Sequence, residues 1–118
     1  MRCFAPLLAV GGLLVTTPVL AQYADSQSAL RAINLARNTA IKLNGGLGVY
    51  RPAKCMFEPA SESNPCLIAN DSDGFTFRFP GGGPGWQVLN KDPSIETEIR
   101  ITPDGRTVNQ VVFNKNLR

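Results

Sequence analysis

The segment Gly74–Trp86 constrains this chain more than any other, because it holds half of the six phenylalanines and the only tryptophan. Its three phenylalanines alternate with Thr76 and Arg78, which is the period of a half-buried β-strand with an aromatic core face and a polar face in water. Pro80 should end the hydrogen-bond ladder of this strand, and the glycine-rich run Gly81–Gly85 should then turn the chain. The sequence therefore predicts a core strand followed by a turn.

Residues 1–21 have the pattern of a secretory signal peptide. Arg2 supplies a positive charge, an apolar run follows, and Val19–Ala21 fits the small-residue rule for cleavage before Gln22. The alternative is an uncleaved membrane anchor, but the apolar run is shorter than the roughly 20 residues that span a bilayer. We therefore expect an exported protein, periplasmic or secreted, with no membrane span after cleavage.

Removal of 21 of the 118 residues leaves 97, enough for one small domain over residues 22–118. The remaining chain carries eleven Lys and Arg against nine Asp and Glu, a formal net charge of +2. These basic residues are scattered and form no run that could follow a phosphate backbone. We therefore expect no binding to nucleic acid.

Two cysteines remain after cleavage, Cys55 and Cys66. In an oxidising compartment an even pair predicts a disulfide, which closes a loop of about a dozen residues and stabilises the fold by roughly 3 kcal/mol. A metal or redox site is the alternative, yet the chain has no histidine and keeps no third thiol. We therefore expect a structural disulfide, no metal and no cofactor.

Residues 26–43 follow the 3.6-residue period of an amphipathic helix, which Asp25 or Ser26 can cap. The predicted apolar stripe consists of Ala29, Leu30, Ile33, Ala36, Ala40, Ile41 and Leu43. Asn44–Gly46 supplies the left-handed stop that helices commonly use at their C-terminus. A pilin-like or membrane-surface helix is the alternative, but the polar face is only modestly basic and the apolar face lacks Trp and Phe. We expect the helix to lie against a sheet.

The remaining segments predict an antiparallel sheet. Besides the phenylalanine strand, the predicted strands are Leu47–Arg51, Lys54–Phe57 as its continuation, Cys66–Ala69, Trp86–Leu89 as a strand or bridging segment, Ile95–Thr102 and Arg106–Phe113. Asn70–Gly74 and Pro103–Gly105 have the composition of tight hairpin turns. The fold class is therefore α+β, with one N-terminal helix packed on an antiparallel sheet of four to five strands.

The last hairpin should have one buried and one wet face. A three-residue loop places Ile101 opposite Thr107, Ile99 opposite Asn109, Thr97 opposite Val111 and Ile95 opposite Phe113, all on the core face. The wet face should carry Glu96, Glu98, Arg100 and Gln110. Residues 114–118 should fray.

Three motifs resemble functional sites, and each has a plainer structural explanation. Gly81–Gly85 lacks the lysine and the hydroxyl residue of a phosphate-binding loop, so a turn is preferred. Asp71 and Asp73 mimic part of a calcium-binding loop, but its first and last ligand positions fall on apolar residues, so a turn is again preferred. Glu96 and Glu98 lie about 7 Å apart along a strand, which suits a pair of catalytic carboxylates, although alternating charges on an exposed face are ordinary.

If the chain has a binding surface, we expect it at the glycine turn. The backbone there can approach a partner closely, and the turn is followed by tryptophan, the residue type most enriched at binding hot spots. The candidate binding residues are Trp86, Gly82, Gly83, Gly85 and Arg78. The loop Glu58–Pro65, which the disulfide spans, is either a recognition surface that acts together with the glycine turn or an ordinary surface loop. The competing interpretation is that Trp86 is simply buried core.

The segments Asn44–Phe57, Gly74–Trp86, and Ile95–Ile99 with Pro103–Arg106 resemble a group of small exported proteins of cyanobacteria. That group has no assigned activity. The resemblance therefore implies a bacterial periplasmic or extracellular setting and carries no functional residues to this chain.

The functional expectation is a binding protein. Nucleophilic catalysis by Ser or Cys would want a histidine, and the chain has none. We therefore expect a non-enzymatic periplasmic binding or interaction module, or a subunit, with a protein partner in the periplasm. The alternative is a hydrolase built on carboxylates.

Overall fold

The computed structural model describes residues 26–118, in which one α-helix packs on a five-stranded antiparallel sheet. The elements are α1 (26–43), β1 (Arg51–Pro52), β2 (Leu67–Asp71), β3 (Gly74–Gly82), β4 (Ile95–Ile101) and β5 (Val108–Asn116). The predicted α+β class is confirmed. The predicted signal peptide, its cleavage site and the cap at Asp25 lie outside the described residues.

The helix α1 packs on the sheet through small side chains. Its buried face consists of Ala32, Ile33, Ala36 and Ala40, which cluster with the phenylalanines of β3. The predicted stripe is wrong at Leu30 and Leu43, which are 59% and 50% exposed. Leu30 lies about 120° around the helix from Ala36, since each residue adds about 100°, and Leu43 is the last helical residue, past the last buried alanine. The short alanine side chains allow the helix to approach the sheet closely.

Two glycines with left-handed backbone end α1. Gly45 and Gly46 have φ angles of 98° and 97°, and the Gly46 N–H donates to the Ile41 carbonyl over 2.9 Å. This bond closes a helix at a left-handed glycine, so the predicted stop is confirmed. Asn44 Nδ2 donates to Asn114 Oδ1 over 3.1 Å, and Asn114 Nδ2 donates to Asn44 Oδ1 over 2.9 Å. The end of the helix is thereby joined to β5.

The strand β3 is the centre of the sheet. It pairs with β4 along one edge and with β1 and β2 along the other, while β4 pairs with β5. Phe75, Phe77 and Phe79 are 5%, 0% and 0% exposed, which confirms the predicted core strand. The hairpin from β2 to β3 closes where Asp71 pairs with Gly74, as predicted.

Pro80 does not end β3, contrary to the prediction, but lies within it opposite Glu96 of β4. Alternate residues of a strand direct their backbone groups to opposite edges. The Pro80 carbonyl accepts from the Ala53 N–H, and the Arg78 N–H donates to the Cys66 carbonyl, both over 2.9 Å on the edge that faces β1 and β2. An N–H at position 80 would point into the gap between β1 and β2, where no strand of the described chain offers it a partner. Proline at this position therefore removes no hydrogen bond between strands.

The strands β1 and β2 follow one another along the same edge of β3. The chain leaves that edge after Ala53 and returns to it at Cys66, the two residues whose backbones bond to Pro80 and Arg78. Residues 54–65 form an excursion between these two points. β1 and β2 are therefore two parts of one interrupted edge strand.

Two predicted strand segments are wrong, because hydrogen bonds within turns satisfy most of their backbone groups. Most of Leu47–Arg51 is a turn, in which the Tyr50 N–H donates to the Gly46 carbonyl over 2.9 Å, and only its last residue belongs to β1. Lys54–Phe57 is a single 3-10 turn. Trp86–Leu89, predicted as a strand or a bridging segment, consists of successive turns and is therefore a bridging segment.

The turn between β4 and β5 is as predicted, but the register is not. The Gly105 N–H donates to the Thr102 carbonyl over 2.8 Å, and Gly105 has a φ of 76°. The observed partners are Ile101 with Val108, Ile99 with Val111, Thr97 with Asn114 and Ile95 with Asn116. Two bulges leave Asn109 and Val112 outside the pairing and shift the ladder. Because β5 also runs to Asn116, the predicted fraying from residue 114 is wrong.

The face of the sheet away from α1 is exposed to water except around Glu98. Arg100 and Gln110 are exposed, as predicted, whereas Glu98 is only 6% exposed and its predicted wet position is wrong. The bulge in β5 brings Phe113 opposite Glu98, and Arg78 Nε donates to Glu98 Oε1 over 2.8 Å. This register places Phe113 beside Glu98 on the same face of the sheet, and the Arg78 guanidinium compensates the charge of the buried carboxylate.

Tyr50 is buried against the backbone of β3. It is 2% exposed, and a Cβ atom at Gly81 would collide with its ring. Its hydroxyl makes no hydrogen bond of acceptable geometry within the described range. Burial raises the pKa of Tyr50 from 10.0 to about 12, and the neighbouring Thr97 hydroxyl offsets only part of this effect.

Phe77→Ala should lower the free energy of unfolding by roughly 3 to 5 kcal/mol, because it removes a ring that is 0% exposed. Thr76→Ala, on the opposite face of β3, is the matched control and should change that energy by about 0.5 kcal/mol or less. Urea denaturation of both variants measures the difference. Equal and small effects would contradict the assignment of the core face.

Tyr50→Phe should remove an alkaline loss of stability. Since folding raises the pKa of Tyr50 from 10.0 to about 12, its contribution is complete below pH 10 and is lost as the pH rises through about 12. By pH 12 the wild type should therefore lose about 2 kcal/mol more than the variant. Denaturant titrations from pH 9 to 12 test this, and parallel curves for the two proteins would refute it.

Candidate functional site

An apolar groove opens between residues 47–57 and the loop 85–88. It has a volume of about 610 Å³ and is lined by Leu47, Arg51, Pro52, Lys54, Phe57, Gly85, Trp86, Gln87 and Val88. Leu47, Phe57 and Val88 expose 48%, 57% and 88% of their surface. Large apolar side chains exposed together around a hollow are a common mark of an interaction site.

Trp86 forms the floor of this groove. The side chain is 8% exposed, and its Nε1 donates to the Arg51 carbonyl over 2.9 Å. A Cβ atom at Gly82 would come within 2.9 Å of the indole Cγ, so the ring packs directly on the backbone of β3. The Trp86 carbonyl accepts from the Lys91 N–H over 2.8 Å. Trp86 is therefore buried and at the same time part of the groove surface.

The walls of the groove are held by contacts behind them. The Arg37 guanidinium lies 5.0 Å from the centre of the Phe57 ring, and Arg37 Nη1 donates to the Met56 carbonyl over 3.2 Å. Across the groove, the Lys54 N–H donates to Gln87 Oε1 over 2.9 Å. The hydrogen bond from Lys54 to Gln87 joins the two walls, so the hollow is preformed.

The wall that carries Phe57 begins the disulfide-closed loop. Cys55 and Cys66 form the predicted disulfide. Asn64 is 5% exposed; its Nδ2 donates to the Cys55 and Pro59 carbonyls over 2.9 and 3.0 Å, and its Oδ1 accepts from the Cys66 N–H over 2.9 Å. Sequence reasoning missed Asn64, because the Asn64–Pro65 dipeptide signals a turn without showing which groups the amide binds. The loop thus has a polar anchor besides its covalent one.

The charged side chains of the groove are both positive. Arg51 and Lys54 belong to its lining, which contains no acidic residue. Arg51 Nε donates to the Leu47 carbonyl over 2.8 Å. In residues 26–118 the one ion pair joins Arg78 to Glu98, so neither groove cation has a carboxylate partner in that range.

The structure separates the residues predicted to bind. Gly85 and Trp86 line the groove, and Gly82 lies beneath the indole ring. Gly83 borders a different hollow of about 260 Å³. Arg78 lies on the outer face of the sheet, with its Nη2 2.7 Å from a carboxylate oxygen of β4. A binding role for each of them stays a prediction.

Most of the loop Glu58–Pro65 lies away from the groove. Residues 59–62 border the N-terminal turns of α1, where they enclose a hollow of about 340 Å³ with Ala29 and Leu30. The predicted combination of this loop with the glycine turn therefore does not occur within one hollow. Only the 3-10 turn before the loop reaches the groove.

The paired carboxylates of β4 differ in their surroundings. Glu98 is buried in its ion pair with Arg78, whereas Glu96 is half-buried opposite Lys115 of β5. The described part of the chain contains no cluster of three or more acidic, cysteine or histidine side chains that could hold a metal ion. Over the same residues, no helix is long and apolar enough to cross a membrane.

Comparisons with protein-family models, with curated proteins and with solved structures found no match for this chain. The resemblance to exported cyanobacterial proteins stays a prediction.

Sequence reasoning found the floor of the groove and missed its walls. Leu47 and Phe57 lie in segments predicted to be strands, and Val88 lies in one predicted to be a strand or a bridging segment. In a strand, an apolar side chain is expected to pack inward. Their glycine- and proline-rich surroundings were the available signal, because large apolar residues in turns have no strand face to pack on.

Gly82→Ala should disturb the groove floor, while Gly83→Ala should not. A methyl group at position 82 would meet the indole of Trp86 at 2.9 Å, whereas position 83 faces open space. We expect Gly82→Ala to cost about 1 to 3 kcal/mol of stability and to shift the tryptophan emission to the red. The wild type and Gly83→Ala should emit in the blue and resist acrylamide quenching. Identical spectra for all three proteins would contradict this packing.

Proposed function

We propose that this protein is an exported interaction module, in which the groove beside Trp86 binds an apolar side chain from an exposed segment of a partner protein. The observation that carries the proposal is the exposure of Leu47, Phe57 and Val88 around one preformed hollow. Burial of such side chains against a partner is favourable at roughly 25 cal/mol for each Å² of apolar surface removed from water. A partner segment that fills the hollow would therefore bind favourably, because it buries the apolar surface of these side chains that is now exposed to water.

Preorganisation of the groove supports a binding role. The hydrogen bond from Lys54 to Gln87, the ring of Phe57 against Arg37 and the anchored indole of Trp86 hold the hollow open without a ligand. A site of fixed shape loses little conformational entropy when a partner enters it. Aromatic residues at the centre of a hollow are also the usual hot spots of protein interfaces.

Export is part of the proposal. The disulfide between Cys55 and Cys66 suits an oxidising compartment, and the composition of residues 1–21 suits a leader that directs the chain there. A periplasmic or secreted partner is the corresponding expectation.

Binding is favoured over catalysis. The carboxylate alternative requires Glu98 to act on a substrate, but this side chain is 6% exposed and paired with Arg78. The groove lining contains no acidic, serine, cysteine or histidine side chain that could take part in catalysis. The proposal therefore assigns the groove to recognition.

Panning of a random peptide library against the immobilised, oxidised protein tests this function. Enriched peptides should bind the wild type and should lose at least tenfold in affinity, about 1.4 kcal/mol, with Val88→Glu. Leu30→Glu is the matched control, because it places the same charge on another exposed apolar position, 59% exposed and outside the groove lining. Failure to enrich any peptide, or enrichment that Val88→Glu does not affect, would refute the proposal.

A further inference from the structure

The cations of the groove are a feature that apolar binding alone does not use. Arg51 and Lys54 are exposed members of the lining, and the groove has no acidic residue to neutralise them. Elsewhere in the described chain, the buried carboxylate of Glu98 has its own guanidinium partner. Within residues 26–118 the groove cations have no such partner, so they are available to a ligand.

We infer that the partner segment carries carboxylate side chains next to its apolar anchor residue; this inference rests on the proposed binding function. Its occupant is thus an acidic peptide segment with an aromatic or aliphatic anchor. The anchor fills the hollow over Trp86, and the carboxylates pair with Arg51 and Lys54. Charge complementarity between an acidic segment and this lining supplies the specificity that apolar contact lacks.

The geometry of Arg51 suits recognition of a carboxylate. Its Nε donates to the Leu47 carbonyl over 2.8 Å, which orients the guanidinium, while its two terminal amino groups make no hydrogen bond to residues 26–118. Two parallel N–H donors match the two oxygens of a carboxylate. The bond that holds Arg51 therefore lowers the entropic cost of forming that pair.

Lys54 adds a second charge at a defined place. Its backbone N–H is bonded to Gln87 Oε1, which fixes the start of its side chain at the wall, and its ammonium group has no carboxylate partner within the described part of the chain. Arg51 and Lys54 thus place two positive charges on the wall beside Trp86. A segment with a single carboxylate would satisfy only one of them.

The concave shape favours a peptide over a lipid surface. A protein surface that inserts into a bilayer presents its apolar side chains outward. Here the apolar side chains surround a hollow of about 610 Å³, and the indole at its floor is 8% exposed. A hollow of this size accepts a protruding side chain, which a peptide offers and a flat membrane does not.

Three peptide pools distinguish this inference from simple apolar binding. Each pool has a fixed Phe-Leu pair flanked by positions randomised among Gly, Ser and one class of residue: Asp and Glu, Asn and Gln, or Lys and Arg. Binding to the oxidised full-length protein is measured by tryptophan fluorescence at low and high salt. We expect the acidic pool to bind at least tenfold more tightly than the neutral pool at low salt, and this advantage to shrink as salt screens the charges.

Charge-removing variants locate the effect. Arg51→Gln with Lys54→Gln should abolish the advantage of the acidic pool, and Lys54→Gln alone should reduce it. Lys42→Gln with Arg100→Gln is the matched control, since both cations are exposed and lie outside the groove lining. An unchanged tryptophan emission maximum shows that each variant keeps the groove intact.

The outcomes separate the two proposals. Equal binding of acidic and neutral pools, lost in Val88→Glu, would overturn the inference and leave the binding function standing. Binding of no pool would also overturn the inference, while the peptide panning decides the binding function separately. Vesicles that contain phosphatidylglycerol are tested in parallel: if they bind through Val88 and the acidic pool does not, the partner is a membrane surface and the inference fails.

Discussion

Contact between the phenylalanine face of β3 and the alanine face of α1 is the interaction on which the rest of the structure depends. β3 has strand partners on both edges, so its position determines where β1, β2 and β4 can lie. The helix can rest on Phe77 and Phe79 because its own buried side chains are short. The glycines that follow in β3 continue this arrangement, since they let the rings of Tyr50 and Trp86 lie directly on the backbone.

Local patterns were sufficient for the parts of the fold that depend on local physics. The period of α1 predicts the buried face of the helix except at Leu30 and Leu43. The alternation of Phe75 to Phe79 predicts the core face of β3, and the even cysteine pair predicts the disulfide. The burial of Glu98 did not follow, because a bulge in β5 moves Phe113 to the other face without changing the alternation in β4. The prediction that Pro80 ends β3 is wrong because the effect of its missing N–H depends on which edge of the strand the N–H would face. The sequence does not show which strands lie along that edge.

The groove could not be predicted for a related reason. Its walls come from segments that are distant in the chain, and they meet because the indole of Trp86 bonds to the backbone of Arg51. The sequence of each wall, taken alone, indicates only a turn that contains an apolar residue. The charge of the groove is equally a result of folding, since the scattered basic residues of a nearly neutral chain give no sign that Arg51 and Lys54 line one hollow.

The interrupted edge strand has a consequence for how this protein can vary. The excursion 54–65 leaves and rejoins the sheet at two backbone bonds to neighbouring positions of β3, and its ends are also joined covalently through Cys55 and Cys66. Closing a longer loop between fixed ends costs little, about 0.6 kcal/mol for each doubling of its length. Extra residues can therefore be inserted between Ala60, which packs against the core, and Asn64 while the sheet keeps its register. The fold thus carries a site for new sequence that is independent of the groove.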